Sequence, residues 1–181
     1  MICGLSKEDW HSLLKKIHSL PCRQTVFGQE NDQTKLQQIE VAMERASHYA
    51  QRQTDSVRSY MKRQGVNKPI HIGETGWASA SNGFYGANGS NATDEYKESL
   101  YYNHMRKWTK EKGMACFYFE AFDEPWKDAA NQGGSENHFG LFTVDGKAKY
   151  ALWDLVDKEI FKGLSRGGNP ITKTYNGNKE A

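Results

Sequence analysis

From Leu36 to Gln64 the chain holds neither glycine nor proline, and apolar side chains recur at Leu36, Ile39, Met43, Ala46, Val57, Tyr60 and Met61. That recurrence returns to one face every three or four residues, which predicts one long helix or two abutting helices ended by Gly65. Pro69 to Glu74 then reads as a short β-type run, followed from Ala78 to Thr93 by a loop rich in Gly, Asn and Ser. A second helical pattern covers Asp94 to Lys112: Asp94 and Glu95 complement the first-turn dipole, Tyr96, Leu100 and Trp108 mark a face, and Gly113 supplies a left-handed C-terminal turn. An apolar strand from Met114 to Phe122 comes next. Before all of these, residues 1–35 show only a short helical pattern at Trp10, Leu13, Leu14 and Ile17, broken by Pro21.

Helices that alternate with short apolar strands argue for βα units on a parallel sheet, so the expected fold class is α/β. Glu74 and Glu124 close the two strands and stand about 50 positions apart. A bare barrel of about 250 residues uses roughly 30 per unit. The surplus falls in the loop after Glu74, on the face where such barrels place their chemistry. The expected organisation is a segment 1–35 of undetermined role, a partial catalytic domain over 36–162 and a C-terminal tail over 163–181.

Composition narrows the function classes. With 181 residues, 37% apolar and 12% aromatic, the chain can bury a core of its own. The 24 Lys+Arg and 22 Asp+Glu are interspersed, so no basic stripe tracks a phosphate backbone and nucleic acid is not an expected partner. No apolar run approaches the roughly 20 residues of a membrane span, and the start of the chain lacks the pattern of a secretory signal. Cys3, Cys22 and Cys116 are too few and too scattered for a zinc site or a fully paired framework, and Cys116 reads as a small buried hydrophobe. The six histidines show no metal-ligand spacing, so neither metal nor cofactor is expected.

Carboxylates gather at the ends of both strands. Glu74 sits where an apolar strand meets a turn flanked by Gly73 and Gly76, with Trp77 directly after it. A lone carboxylate there serves equally well as a backbone cap, and Trp77 as core. Glu120, Asp123 and Glu124 then crowd the end of the second strand, with Glu120 inside an otherwise apolar run, where a charge is costly unless paired. Two carboxylates on different strand ends, flanked by rings, suit glycosidic bond cleavage: one attacks the anomeric carbon and the other protonates the leaving oxygen. Trp77, Tyr85, Trp126 and Phe139 are candidate platforms for sugar faces, although each also suits packing.

Three runs carry a resemblance: Ile72-Gly73-Glu74-Thr75-Gly76-Trp77; Phe119-Glu120-Ala121-Phe122-Asp123-Glu124-Pro125-Trp126-Lys127; and Glu136-Asn137-His138-Phe139-Gly140-Leu141-Phe142. Together, in this order, they resemble the family 17 glycoside hydrolases, the endo-1,3-β-glucanases or laminarinases, over about residues 37–156. The resemblance implies the C-terminal portion of a (β/α)8 TIM barrel, with Pro69–Glu74 as its seventh strand and Met114–Phe122 as its eighth. It implies Glu74 as the nucleophile, Glu124, Lys127 and Glu136 on the substrate-binding wall, and Trp77, Trp126 and Phe139 against sugar. His138 becomes a candidate lining residue, while His71 keeps a structural role. The implied partner is a β-glucan polysaccharide or oligosaccharide, and the implied location is extracellular, periplasmic or at the cell surface. Two departures stand out: Asp123 replaces the Asn of many relatives, and no Asn-Glu dipeptide, the family's acid/base signature, occurs in these 181 residues. The chain is therefore expected to be a truncated retaining glycosidase, poor in catalysis by itself. The alternatives are a non-catalytic carbohydrate-binding protein and a transglycosylase on the same scaffold.

Overall fold

The computed structural model describes residues 32–84 and 91–180, with side chains from residue 35 onward. The helical pattern expected near Trp10, and Tyr85, lie outside the described residues. The chain divides into two compact units. In the first, the long helical pattern forms one unbroken helix, α1 (Asp32–Arg63). It stops as the sequence predicts: Gly65 takes φ +71°, Gly65 N–H donates to Lys62 C=O, and Val66 N–H donates to Met61 C=O. This pair of bonds satisfies carbonyls that the helix end would otherwise leave open, and Lys62 and Arg63 complement the dipole there. Ala42, Met43, Ala46 and Ser47 are the buried positions of α1, whereas Leu36 and Tyr60 are exposed.

Strand β1 (Ile72–Thr75) and strand β2 (Cys116–Tyr118) are hydrogen-bonded neighbours, joined near their start by Ile72 N–H to Ala115 C=O at 3.0 Å. Both are shorter than expected. β1 begins only at Ile72. β2 ends at Tyr118 because the next residues pair elsewhere, so Glu120 lies beyond the strand and not within it. Cys116 is only half-buried, since β2 turns Phe117 outward and gives partial cover to its neighbours, and burial raises the thiol pKa.

Helix α2 (Glu95–Glu111) contributes its first half to the second unit and its second half to the first. Asp94 caps it, accepting from Lys97 N–H at 2.7 Å, and Gly113 at φ +59° ends it with the same two-bond motif as α1. Its buried face differs from the one expected. Glu98, Tyr101, Met105, Trp108 and Thr109 are buried, while Tyr96 and Leu100 are only partly covered.

The second unit is built on a ladder rather than on long strands. Residues 120–123 bond to 139–142, Leu141 accepts from Lys149 N–H, and Ala148 bonds to Thr172 and Thr174. Ala148, Ala151, Leu152 and Trp153 form its apolar centre, the last two at the junction of a short 3-10 turn and helix α3 (Trp153–Asp157). Trp153 Nε1 donates to Ala148 C=O at 3.0 Å. A small hairpin, β3 (Ser165–Arg166) with β4 (Asn169–Pro170), folds onto this ladder, with the Arg166 guanidinium 3.7 Å from the centre of the Phe122 ring.

Candidate active site

Glu74 occupies the third position of β1 and is exposed. Gly76, two residues on, opens the second unit, and its lack of a side chain has a local cause: a Cβ there would overlap the carbonyl oxygen of Phe119. Trp77 sits 5.3 Å from Tyr101 between ring centres, partly covered. Gly140 is constrained in the same way, since a Cβ on it would collide with the backbone at Phe122 and Asp123.

Beyond β2, three site residues converge. Lys127 Nζ lies 3.0 Å from Glu120 Oε2 and 2.8 Å from Glu124 Oε2, and 3.7 Å above the centre of the Phe119 ring. Phe119 in turn meets Phe139 edge to face, with centroids 5.7 Å apart. Burial raises the Glu120 carboxyl pKa, with Lys127 opposing and Glu124 adding to the rise. Glu124 moves the other way, lowered first by its hydrogen bond with Lys127. For Lys127 burial works against the charge, but its bonds with Glu124 and Glu120 prevail and its pKa is raised. The cluster thus holds one ammonium between two carboxyl groups of unequal acidity, and Trp126, next to Lys127 in the sequence, is 62% exposed.

Glu136 is exposed on the short 3-10 turn Ser135–Asn137 and forms no ion pair among the described residues. Its neighbour Asn137 is buried and ties the loop together, accepting from Asp128 N–H at 2.8 Å and donating to the carbonyls of Asp128 and Asn131. His138 bonds through Nε2 to the Gln132 carbonyl at 3.0 Å.

The residues that sequence reasoning passed over lie beneath this surface. Lys149 Nζ is 2.6 Å from both Asp123 Oδ1 and Ser79 Oγ, and also donates to the His138 carbonyl at 3.4 Å. Asp123 Oδ1 accepts from Gly140 N–H as well, at 2.9 Å. One buried ammonium thereby fastens the loop after Trp77, the turn after Glu120 and the segment around His138. Glu95 is not simply a dipole partner: its Oε2 accepts from Tyr150 N–H and Thr174 Oγ at 2.8 and 2.7 Å. Glu98 is fully buried with neither carboxyl oxygen hydrogen-bonded among the described residues, and desolvation raises its pKa well above the ordinary range. Nothing in the sequence separates Lys149 from exposed Lys147, and an alternating buried pattern at Gly146, Ala148 and Lys149 is too short to read.

Among the described residues no three His, Cys, Asp or Glu side chains gather into a metal-binding group, and no helix is long and apolar enough to cross a membrane.

Known proteins are similar to this chain in sequence and fold. The crystal structure of an endo-laminarinase from Formosa Hel1_33_131 is 73% identical and superposes with a TM-score of 0.77, over 83% of this chain and 39% of that one. A glucan 1,3-beta-glucosidase of Arthroderma benhamiae is 39% identical over 103 residues, 53% of this chain and 32% of the fungal protein. A glucan endo-1,3-beta-glucosidase of Vitis vinifera is 36% identical over 93 residues, 50% of this chain and 25% of the plant protein. The chain spans less than half the length of each of these relatives. The model of glycosyl hydrolases family 17 matches residues 34–153, about two thirds of the sequence, so the chain belongs to that glycosidase family and carries part of its TIM-barrel scaffold.

Proposed function

We propose that this chain supplies the nucleophile and the substrate-binding wall of a retaining β-1,3-glucan hydrolase, with β1 and β2 as the seventh and eighth strands of the barrel. The observation that carries the reading is the Glu120–Lys127–Glu124 cluster: charged groups able to bind hydroxyls are held together on one turn, and the residue before Lys127 is exposed Trp126, a ring able to stack on a sugar. Exposed Glu74, at the end of β1, has a carboxylate open to a substrate. The names of the laminarinase and glucosidase relatives supply the substrate class.

In the proposed reaction a Glu74 carboxylate oxygen attacks the anomeric carbon, the glycosidic C–O bond breaks, and the leaving oxygen takes a proton from the acid/base residue. Water then attacks the glycosyl-enzyme ester, gives its proton to that same residue and releases Glu74. The family's Asn-Glu pair does not occur in these 181 residues, so the acid/base carboxyl comes from outside them. Glu124, Lys127 and Glu136 bind sugar hydroxyls, Trp77, Trp126 and Phe139 offer apolar surface, and no metal takes part. A polymeric glucan is met outside the membrane, which favours an extracellular, periplasmic or cell-surface location.

A mechanism-based fluoroglycoside with an activated leaving group tests the assignment. Its glycosyl group is expected on Glu74, seen by peptide mass spectrometry, and labelling at any other carboxylate overturns it. Trisaccharide products longer than the substrate, in place of hydrolysis, would point to transglycosylation.

A further inference from the structure

Glu120 makes no contact with sugar in the reading above, yet it is the most firmly held member of its cluster. Its backbone N–H donates to Phe139 C=O and its carbonyl accepts from Leu141 N–H, both at 2.9 Å. Its side chain is 12% exposed, against 31% for Glu124. Glu124, by contrast, sits on a turn closed by Lys127 N–H to its own carbonyl. Lys127 has a long stem with several rotatable bonds, and fixing such a side chain costs conformational entropy. Two neighbours other than Glu124 resist its motion: Glu120 Oε2 at 3.0 Å and the Phe119 face at 3.7 Å. Oε1 of Glu120 is buried without a hydrogen-bond partner among the described residues, so this carboxyl faces inward and is not the surface presented to solvent.

We propose that Glu120 is a positioning residue that anchors Lys127, and through it orients the Glu124 carboxylate, for binding of β-1,3-linked glucose units; this rests on the reading of Glu124 and Lys127 as sugar contacts. Glu120 acts on the sugar only through Lys127. Its removal frees the ammonium to swing or to collapse fully onto Glu124, and either movement takes hydrogen-bonding capacity away from the sugar. A glutamine keeps an acceptor oxygen in place for Lys127, whereas an alanine keeps none.

The test is a double-mutant cycle on the affinity of the 181-residue chain for laminarihexaose, measured by calorimetry, with thermal midpoints recorded for every variant. Glu120→Ala is expected to weaken binding about tenfold, roughly the 1.4 kcal/mol of a charge-assisted hydrogen bond. Glu120→Gln is expected to recover most of the loss, and Glu120→Ala to have no further effect once Lys127→Met is present. Wild-type affinity in Glu120→Ala, or a loss that persists undiminished in the Lys127→Met background, overturns the positioning role. Equal loss in the Ala and Gln variants together with a matching drop in midpoint makes Glu120 structural only, and also overturns it. Failure of the wild-type chain to bind the hexasaccharide, or binding untouched by Lys127→Met, overturns the sugar-wall reading itself and this proposal with it.

Discussion

Lys149 Nζ lies 2.6 Å from Asp123 Oδ1 with the lysine side chain only 2% exposed, and the same ammonium reaches Ser79 Oγ. Removing one partner of such a pair leaves the other charge buried and uncompensated. Lys149→Met is therefore expected to cost about 3–5 kcal/mol of unfolding free energy, read from urea denaturation. Adding Asp123→Asn to it removes the stranded charge and is expected to recover a large part. If the double variant is no more stable than the single one, the ion pair is not what holds these loops.

Glu98 gives the fold a pH dependence of definite sign. Burial, opposed by Lys149 and reinforced by Glu95, Asp123 and Asp94, raises its folded pKa well above the ordinary value of about 4.5. The protonated form then belongs to the folded state, so its contribution is fully present below the unfolded value and is lost as pH rises through the folded one. Thermal midpoints are expected to decline as pH rises from the unfolded value of about 4.5 towards the folded one, and Glu98→Gln, neutral at every pH, to flatten that decline. Tyr118, whose buried hydroxyl is also raised, first by burial and next by Glu98, would add to the loss only at higher pH. An unchanged slope in Glu98→Gln assigns the dependence elsewhere.

Gly76 is expected to tolerate no side chain, because a Cβ would overlap Phe119 C=O and backbone cannot yield as a flexible side chain can. Gly76→Ala should destabilise by more than about 2 kcal/mol, within the range of steric and backbone lesions. Gly73→Ala is the control, since a Cβ there meets nothing within 4 Å. Equal midpoints for the two variants would remove the close approach as the reason for the glycine.

The helices were legible because long periodic runs without Gly or Pro leave few alternatives: α1 and α2 lie within a few residues of their expected bounds, and Gly65 and Gly113 end them as expected. The strands were legible in place but not in length. Periodicity cannot tell that residues 120–123 leave β2 and pair with 139–142, because that choice is made by a partner about 20 positions away. At the candidate site, the motif residues Glu124 and Lys127 do meet, whereas Lys149 and Glu98 were invisible. A charged residue in a sequence reads as solvated, and only tertiary pairing reveals Lys149 as interior. Glu98 has no hydrogen-bond partner among the described residues to betray it.

Where a longer form or a complex restores the acid/base carboxyl, a chelator is expected to leave laminarin hydrolysis unchanged, since the proposed steps run through carboxylates alone. Loss of rate with EDTA and its return with a divalent cation would replace this chemistry with a metal-assisted one.

The roles proposed for Glu74 and for an acid/base carboxyl outside these 181 residues can be separated by the choice of leaving group. A retaining site needs a nucleophile on one face of the sugar and an acid about 5–5.5 Å from it, and the acid contributes on the order of 10²–10⁴-fold when the leaving group is a poor one. On laminarin, whose leaving group is a sugar alkoxide, the 181-residue chain alone should therefore show little or no turnover. A dinitrophenyl β-laminarioligoside departs without protonation, so the first step requires only Glu74 and a bound sugar. The same chain is expected to release dinitrophenol in a burst, with Glu74→Gln lowering that burst rate on the order of 10³-fold, about 4 kcal/mol of barrier. Azide added to Glu74→Ala should restore release and leave a product of inverted, α configuration, because the small anion attacks from the face the carboxylate vacated. A burst retained in Glu74→Gln, or ready turnover of laminarin that disappears in Glu124→Gln, would transfer the nucleophile or the acid to another carboxylate of this chain.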